Sequence, residues 1–430
     1  MFLELLRRSR LIEPAKLDEY LRQRPHFPER PDEAAAQLVH DGFLTRYQAQ
    51  VLMSGRWKGF FLGSYKILKP LGKGGMSTVF LAEHVTLHRK VALKVLPGRL
   101  AADPATLERF YREGRVVAAL DHPNLVRAYD IGHDDDVHFL VMEYVEGRDL
   151  GAILAQKKPV PVDYAVACIV WAATGLQHAF AKGLIHRDIK PANLILSKQG
   201  GLKILDMGLA RFFLDEADDL TRRFQNKGLV CTPDYASPEQ TAQGSNTVDI
   251  RSDIYSLGCT FYALLTGAPP FTGSMTQILA AHQSEIALPV SVVRKEVPDG
   301  LSGVVARMMA KKPEDRYQTP AEVLAALEPW TPTALVAKGN TDSSPFFAVD
   351  VPAAEEVDTE PDDGSMALTL QVDVVAMAPA APPHQQIQTP PPGATNRRRR
   401  SSLFVNWRFW VAVALTTLLF LMIAYFVLPR

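Results

Sequence analysis

The stretch His186-Arg187-Asp188-Ile189-Lys190-Pro191-Ala192-Asn193, followed after an apolar strand pattern by Asp206-Met207-Gly208, decides the reading of this chain. One short loop carries a carboxylate (Asp188), an ammonium (Lys190) and an amide (Asn193), and a second carboxylate, Asp206, ends the next strand. Such a set of groups is the parts list for moving a phosphoryl group from a metal-bound nucleotide.

Upstream, Leu71-Gly72-Lys73-Gly74-Gly75-Met76-Ser77-Thr78-Val79 lies between two alternating apolar/polar runs. Glycines there let backbone N–H groups approach phosphates closely, although a plain hairpin turn would use the same residues. Ser77 stands where a third glycine is usual in a phosphate loop. Val91-Ala92-Leu93-Lys94 follows as a third run. A lysine on the inner face of a half-buried strand needs an anionic partner, because burial alone would cost several kcal/mol or drive deprotonation. Glu113 is in register with Phe110 and Val117 on a helix expected to begin after Asp103-Pro104 and to stop before His122-Pro123, so it shares their apolar face. Gly114 beside it costs about 1 kcal/mol of helix propensity relative to alanine, which predicts a helix that docks less rigidly.

This ordered series of motifs, over residues 65 to 328, resembles the eukaryotic-type (Hanks-type) serine/threonine protein kinases, here of a bacterial, membrane-anchored kind. The resemblance implies an α+β, bilobal fold with a small antiparallel β lobe and a larger helical lobe. It implies ATP and Mg2+ as cofactors, with Mn2+ as an alternative metal, and protein serine or threonine hydroxyls as acceptors, the chain's own included. Lys94 would hold the α- and β-phosphates and pair with Glu113, Asp188 would orient the acceptor hydroxyl and take its proton, and Lys190 would neutralise charge on the transferring group. Asn193 and Asp206 would bind the metal. Leu71 to Val79 would cover the phosphates. Met142 would border the base, Glu143, Tyr144 and Val145 would read the adenine edge through their backbone, and Val79, Ala92 and Ile195 would sandwich the ring. Asp253 would hold the catalytic-loop backbone, and Glu239 would pair with Arg316.

Arg187, next to Asp188, implies regulation by a phosphate on the activation segment. Thr221, flanked by Arg222 and Arg223, is the better phosphosite, while Thr232 more closely resembles the substrate-positioning threonine. Met207 replaces the usual phenylalanine with a flexible thioether, and Cys231 replaces a usual glycine. The alternative from another functional class is a kinase-fold pseudoenzyme acting as a nucleotide-binding scaffold. Retention of Lys94, Glu113, Asp188, Asn193 and Asp206 argues against it.

The rest of the 430 residues adds to this domain. Residues 1 to 60 read as a small helical module with apolar repeats at Leu3, Leu6 and Leu11, at Leu17, Tyr20 and Leu21, at Ala35, Leu38 and Val39, and at Tyr47, Val51 and Leu52. Periodicity predicts further helices over Val162 to Lys182, Asp253 to Thr266 and Leu301 to Met309. Residues 331 to 396 are acidic and proline-rich and cannot bury enough apolar surface to fold, which predicts a flexible tether. Residues 397 to 408 are basic, opening with four consecutive arginines, and residues 409 to 428 form an uninterrupted apolar run. At about 1.5 Å per residue that run is roughly 30 Å long, the thickness of a bilayer's hydrocarbon core. The arginines before it and Trp407 at its edge predict a single-pass span with the kinase domain cytoplasmic and a lipid bilayer among its partners; self-association is an expectation beside these.

A net charge of zero argues against a polyanion binder, so nucleic acid is not an expected partner. Cys168, Cys231 and Cys259 are far apart and lack metal-ligand spacing, which suits a reducing compartment. Glu4, Arg7 and Arg8 interrupt the first apolar run, so no cleaved export signal is expected.

Overall fold

In the computed structural model, which describes residues 1–73, 77–156, 159–205, 207, 233–241 and 248–332, the chain opens with four helices. These are α1 (Phe2–Ser9), α2 (Pro14–Arg22), α3 (Pro31–His40) and α4 (Arg46–Met53). Prolines 14 and 31 sit at the first helical position, where no N–H is needed. α4 starts from a capping box in which Thr45 and Gln48 satisfy each other's backbone N–H groups. Leu6, Leu17, Leu38 and Leu52 meet in one core with Phe2, Tyr20 and Phe60. Each of these leucines is essentially excluded from water, and full burial of such a side chain contributes about 1.5–3 kcal/mol.

Six strands follow in an antiparallel sheet of order β1-β2-β3-β4-β6-β5. They are β1 (Phe61–Leu62), β2 (Tyr65–Lys73), β3 (Thr78–His84), β4 (Lys90–Val95), β5 (Ala128–Asp134) and β6 (Val137–Glu143). The period of two assigns the faces. Val91, Leu93 and Val95 of β4, with Phe139 and Val141 of β6, pack on Ile67 and Phe80, while Ala92, Leu140 and Met142 pack on the opposite side with Phe110 and Val126. Between β4 and β5 run α5 (Gly98–Ala101) and α6 (Pro104–Ala118). α6 is capped by Asp103, whose carboxylate accepts the Thr106 N–H at 2.8 Å, with Pro104 at the first helical position.

Gly114 of α6 lies against the sheet. The glycine leaves a notch that Ile131 of β5 fills, since a Cβ at position 114 would lie 2.6 Å from Ile131 Cδ1. Removal of a side chain here brings helix and sheet closer.

The larger lobe contains β7 (Gly147–Asp149), α7 (Leu150–Leu154), α8 (Val162–Ala181), β8 (Leu194–Ser197), β9 (Leu202–Ile204), α9 (Pro238–Thr241), α10 (Ile250–Thr266), α11 (Met275–Ser284), α12 (Val290–Val293), α13 (Asp299–Met308) and α14 (Pro320–Leu327). β7, β8 and β9 form a second antiparallel sheet. α8 and α10 are central and buried around most of their circumference, which is why neither has a marked polar stripe. α10 begins three residues before the periodic apolar pattern, because Asp249 caps it by accepting the Arg251 N–H at 2.9 Å. Among the described residues α8 is the one helix long and apolar enough to cross a membrane, and it lies in the lobe's core with Ala165, Cys168, Ile169 and Ala172 inaccessible. Nearly all of the expected tether, the basic stretch and the apolar run at 409 to 428 lie outside the described residues.

Candidate active site

The loop between α8 and β8 takes its shape from His186 and Asp253. Asp253, on the first turn of α10, is fully buried, and its two oxygens accept the N–H groups of His186 and Arg187, each at 2.7 Å. Burial pushes this carboxyl above the usual carboxylate range, and His186 and the two N–H donors pull against that. Arg187 adopts a left-handed conformation, φ 68°, that a non-glycine residue keeps only when its surroundings hold it there. Its carbonyl accepts Gln240 Nε2 at 2.7 Å. His186 Nδ1 accepts the Asp188 N–H at 3.2 Å, so Nε2 carries the ring proton and donates to Leu205 O at 2.6 Å. One imidazole thereby ties the catalytic loop to the residue preceding Asp206.

Within the loop, Lys190 Nζ lies 2.8 Å from Asp188 Oδ2. Asn193 Nδ2 donates to Asp188 O at 2.7 Å and to Oδ2 at 2.9 Å. With its nitrogen committed to two acceptors, the amide has Oδ1 left as a ligand oxygen among the described residues. Leu205 N–H donates to Asn193 O at 2.9 Å, which brings the strand end before Asp206 to the same place. The three functional groups of the loop are therefore held together by hydrogen bonds among themselves, and the structure supplies a carboxylate, a cation and an amide oxygen at one point.

Val79, Ala92, Met142, Val145 and Ile195 belong to a single apolar cluster, drawn from β3, β4, β6, the segment just after β6, and β8. Ala92 faces Met142 across the β4–β6 pair, and Gly72 faces Val79 across β2–β3. Leu71 is exposed at the end of β2. Glu143 has its carboxylate 3.0 Å from Lys203 Nζ on β9, and its N–H donates to Arg127 O at 2.8 Å. Lys94 is half-buried on β4, directly opposite Val79 on one side and Leu140 on the other. Ser77 and Thr78 are half-buried at the start of β3. Gly74, Gly75, Met76, Asp206, Thr221, Cys231 and Thr232 lie outside the described residues, as do the side chains of Lys73 and Glu113.

Glu239 and Arg316 meet as expected. The guanidinium is inaccessible and donates to Glu239 Oε1 at 2.7 Å and Oε2 at 2.9 Å. Ser252 Oγ donates to the same carboxylate at 2.5 Å. Met207 is buried in the larger lobe's core.

Among the described residues no three His, Cys, Asp or Glu side chains gather as a metal site. Magnesium, however, takes one or two protein oxygens and fills its octahedron with phosphate and water. The hard oxygen of Asn193 fits that requirement. Gln240 and His186 also carry the loop, roles that the sequence pattern does not assign them. The Gln240 signal is legible in retrospect as a Ser237-x-x-Gln240 capping pattern, and Gln240 Oε1 accepts the Ser237 N–H at 3.0 Å.

The family model of the protein kinase domain matches residues 65–328. The serine/threonine-protein kinase PknB of Mycolicibacterium smegmatis is 39% identical over 315 residues, which cover 72% of this chain and 49% of that protein. PknB of Mycobacterium tuberculosis is 42% identical over 268 residues, 61% of this chain and 42% of that one. The chain thus spans about half or less of the length of these curated relatives. A crystal structure of the Mycobacterium tuberculosis PknI kinase domain, as a double mutant, superposes with a TM-score of 0.50 at 28% identity, covering 63% of this chain and 97% of that one. The match across residues 65–328, together with the catalytic-loop geometry, shows that the chain belongs to the protein kinase family.

Proposed function

We propose that this chain is a serine/threonine protein kinase that transfers the γ-phosphoryl group of ATP to protein hydroxyls, its own included. The observation that carries the proposal is the Asp188 carboxylate held between Asn193 Nδ2 at 2.9 Å and Lys190 Nζ at 2.8 Å. Asp188 orients an incoming serine or threonine hydroxyl. As its oxygen bonds to the γ-phosphorus and the bond to the ADP oxygen breaks, the hydroxyl proton passes to the Asp188 carboxylate. Lys190 lies beside that carboxylate and offsets negative charge on the transferring group. Val79, Ala92, Met142 and Ile195 enclose the adenine ring, with Glu143 and Val145 offering backbone groups to its edge. Lys94, partnered by Glu113, and the Leu71 to Val79 turn hold the phosphates. Asn193 Oδ1 and Asp206 hold Mg2+, which when bound neutralises the phosphate oxygens. Thr221, Thr232 and Arg187 form the regulatory set of the activation segment. The apolar run at 409 to 428 tethers the kinase to a membrane from its cytoplasmic side, with residues 397 to 408 against anionic lipid and residues 331 to 396 as the leash.

The test is phosphoamino-acid analysis of the full chain and of a generic basic acceptor protein after incubation with Mg2+ and γ-labelled ATP. Label on serine and threonine supports the proposal. Label confined to tyrosine, or none at all, overturns it in favour of another specificity or a nucleotide-binding scaffold.

A further inference from the structure

β2 is an edge problem solved by the N-terminal helices. β1 pairs with the first residues of β2, Tyr65 and Lys66, and among the described residues no strand pairs with the outer side of β2 beyond them. An exposed strand edge needs other donors and acceptors. The Ile67 N–H is met by Phe60 O at 2.8 Å, from the segment joining the helices to the sheet. The Ile67 carbonyl accepts Gln48 Nε2 at 2.7 Å, and the Leu68 carbonyl accepts Thr45 Oγ1 at 2.6 Å. Leu68 is the residue skipped where the β2–β3 register shifts between Ile67 and Lys69. Bulges of this kind re-aim a strand.

Gln48 is 1% exposed. It holds the bulge while its own oxygen caps α4 through the Thr45 N–H at 3.0 Å, so the two jobs lock each other. Tyr47 of α4 packs both on the core of the four helices and on the outer core of the sheet. Leu71 and Gly72 lie three and four residues past the bulge, where the register shifts a second time between Pro70 and Gly72, and Gly72 is in register with Val79.

We propose that Thr45 and Gln48 are positioning residues for the nucleotide: α4 sets the course of β2 at its bulge, and thereby the placement of Leu71, Gly72 and Val79 over the adenine and phosphates. The assignment rests on the kinase reading above for its kinetic readout. Neither residue touches substrate. Their loss leaves the Asp188 loop intact, so the effect falls on nucleotide affinity rather than on turnover.

The experiment uses the full chain, with kcat and KM for ATP measured on a basic acceptor and nucleotide affinity measured separately by titration with a fluorescent ATP analogue. Gln48→Leu, which keeps the bulk and removes the donor, is expected to raise KM for ATP and the analogue's Kd about three- to tenfold, the scale of one lost buried hydrogen bond, with kcat within about twofold. Thr45→Val is expected to shift both in the same direction, and Thr45→Ser, which restores the hydroxyl, to return them. Arg7→Ala, which removes an exposed ion pair to Asp18 elsewhere in the same helices, is expected to leave both unchanged. An unchanged KM and Kd in Gln48→Leu overturns the proposal, as does a loss of kcat that tracks the fall in thermal midpoint across the series. If Gln48→Leu does not fold, the Thr45 pair decides by the same criteria. If the native chain transfers no phosphate, the kinase reading fails by itself, and the analogue titration still decides the role of Thr45 and Gln48.

Discussion

Arg316 donates all five of its N–H groups, two of them to Glu239. The others go to Ala310 O at 2.7 Å, Arg251 O at 2.9 Å and Lys311 O at 2.9 Å, and the guanidinium lies over the Tyr255 ring, 4.8 Å from its centroid. No donor is left without an acceptor, the condition under which a buried charge is tolerated. The pair joins α9, just after the activation segment, to α10 and to the turn after α13. Glu239→Ala strands the guanidinium and is expected to cost about 3–5 kcal/mol of stability by denaturant unfolding. Arg316→Lys is expected not to rescue, since an ammonium cannot serve this forked geometry. A loss below about 1 kcal/mol would mean that the pair is as weak as a surface one.

Positioning of the catalytic loop by Asp253 and Gln240 is testable through turnover. Asp253→Asn replaces one acceptor oxygen by an amide facing an N–H donor, and it is expected to lower kcat by about ten- to a hundredfold through misplacement of Asp188. Gln240→Leu frees the Arg187 carbonyl and is expected to lower kcat by a smaller factor. Nucleotide affinity, measured by titration, is expected to stay near the native value in both, because neither residue belongs to the apolar cluster of Val79, Ala92, Met142 and Ile195. A kcat unchanged in Asp253→Asn contradicts the assignment.

Acid is expected to weaken the fold in two steps. Burial, with the nearby Lys311 ammonium, pushes the His282 imidazole down from 6.5 to about 4. Between those values the unfolded chain takes up a proton that the folded chain refuses, so stability is complete above pH 6.5 and falls as pH drops towards 4. Burial raises the Glu239 carboxyl, but its bonds to Arg316 and Ser252 outweigh that and leave it below its ordinary 4.5. Its contribution is therefore present above pH 4.5 and is lost as pH falls through the lower folded value. Urea unfolding between pH 7 and pH 4.5 checks the first step. His282→Gln is expected to reduce the slope there, with a remainder from His122 and His138, which burial also holds below 6.5, and a slope identical to the native one would assign the whole loss to other groups.

The notch at Gly114 makes a double substitution informative. Gly114→Ala gains about 1 kcal/mol of helix propensity but sets its Cβ against Ile131 Cδ1. Ile131→Val removes that atom. On the Ile131→Val background Gly114→Ala is expected to stabilise by about 1 kcal/mol, and by less on the native background, where Ile131 must turn aside. Equal effects on both backgrounds would show that the notch is not filled by Ile131.

Much of this architecture is legible along the chain because it depends on local pattern. The alternation of Tyr65 to Leu96 marks three strands, Asp103-Pro104 marks the start of α6, and the spacing of Asp188, Lys190 and Asn193 fixes them on one loop. Glu239 and Arg316 are readable as a pair only through the family resemblance, since 77 positions separate them. What pattern cannot show is which side chains reach across elements. His186 reads as a loop residue until its two nitrogens find Asp188 and Leu205. Gln48 reads as a polar residue on an amphipathic helix until α4 is set against β2. The apolar period starts α10 at Asp253, three residues late, because the Asp249 cap acts outside it. Intrinsic propensity at Gly114 counts the entropy of the helix and not the isoleucine that fills the space beside it.

The central claim is that Asp188, held by Asn193 and Lys190, receives the acceptor's proton while a γ-phosphoryl group is transferred. Rapid-quench measurement of a single turnover, with saturating ATP and Mg2+, on native protein and Asp188→Asn tests it most directly. The expected result is transfer slowed by at least about a hundredfold in the variant, the scale of a lost catalytic base, with nucleotide affinity retained. Transfer at the native rate in Asp188→Asn would contradict the account.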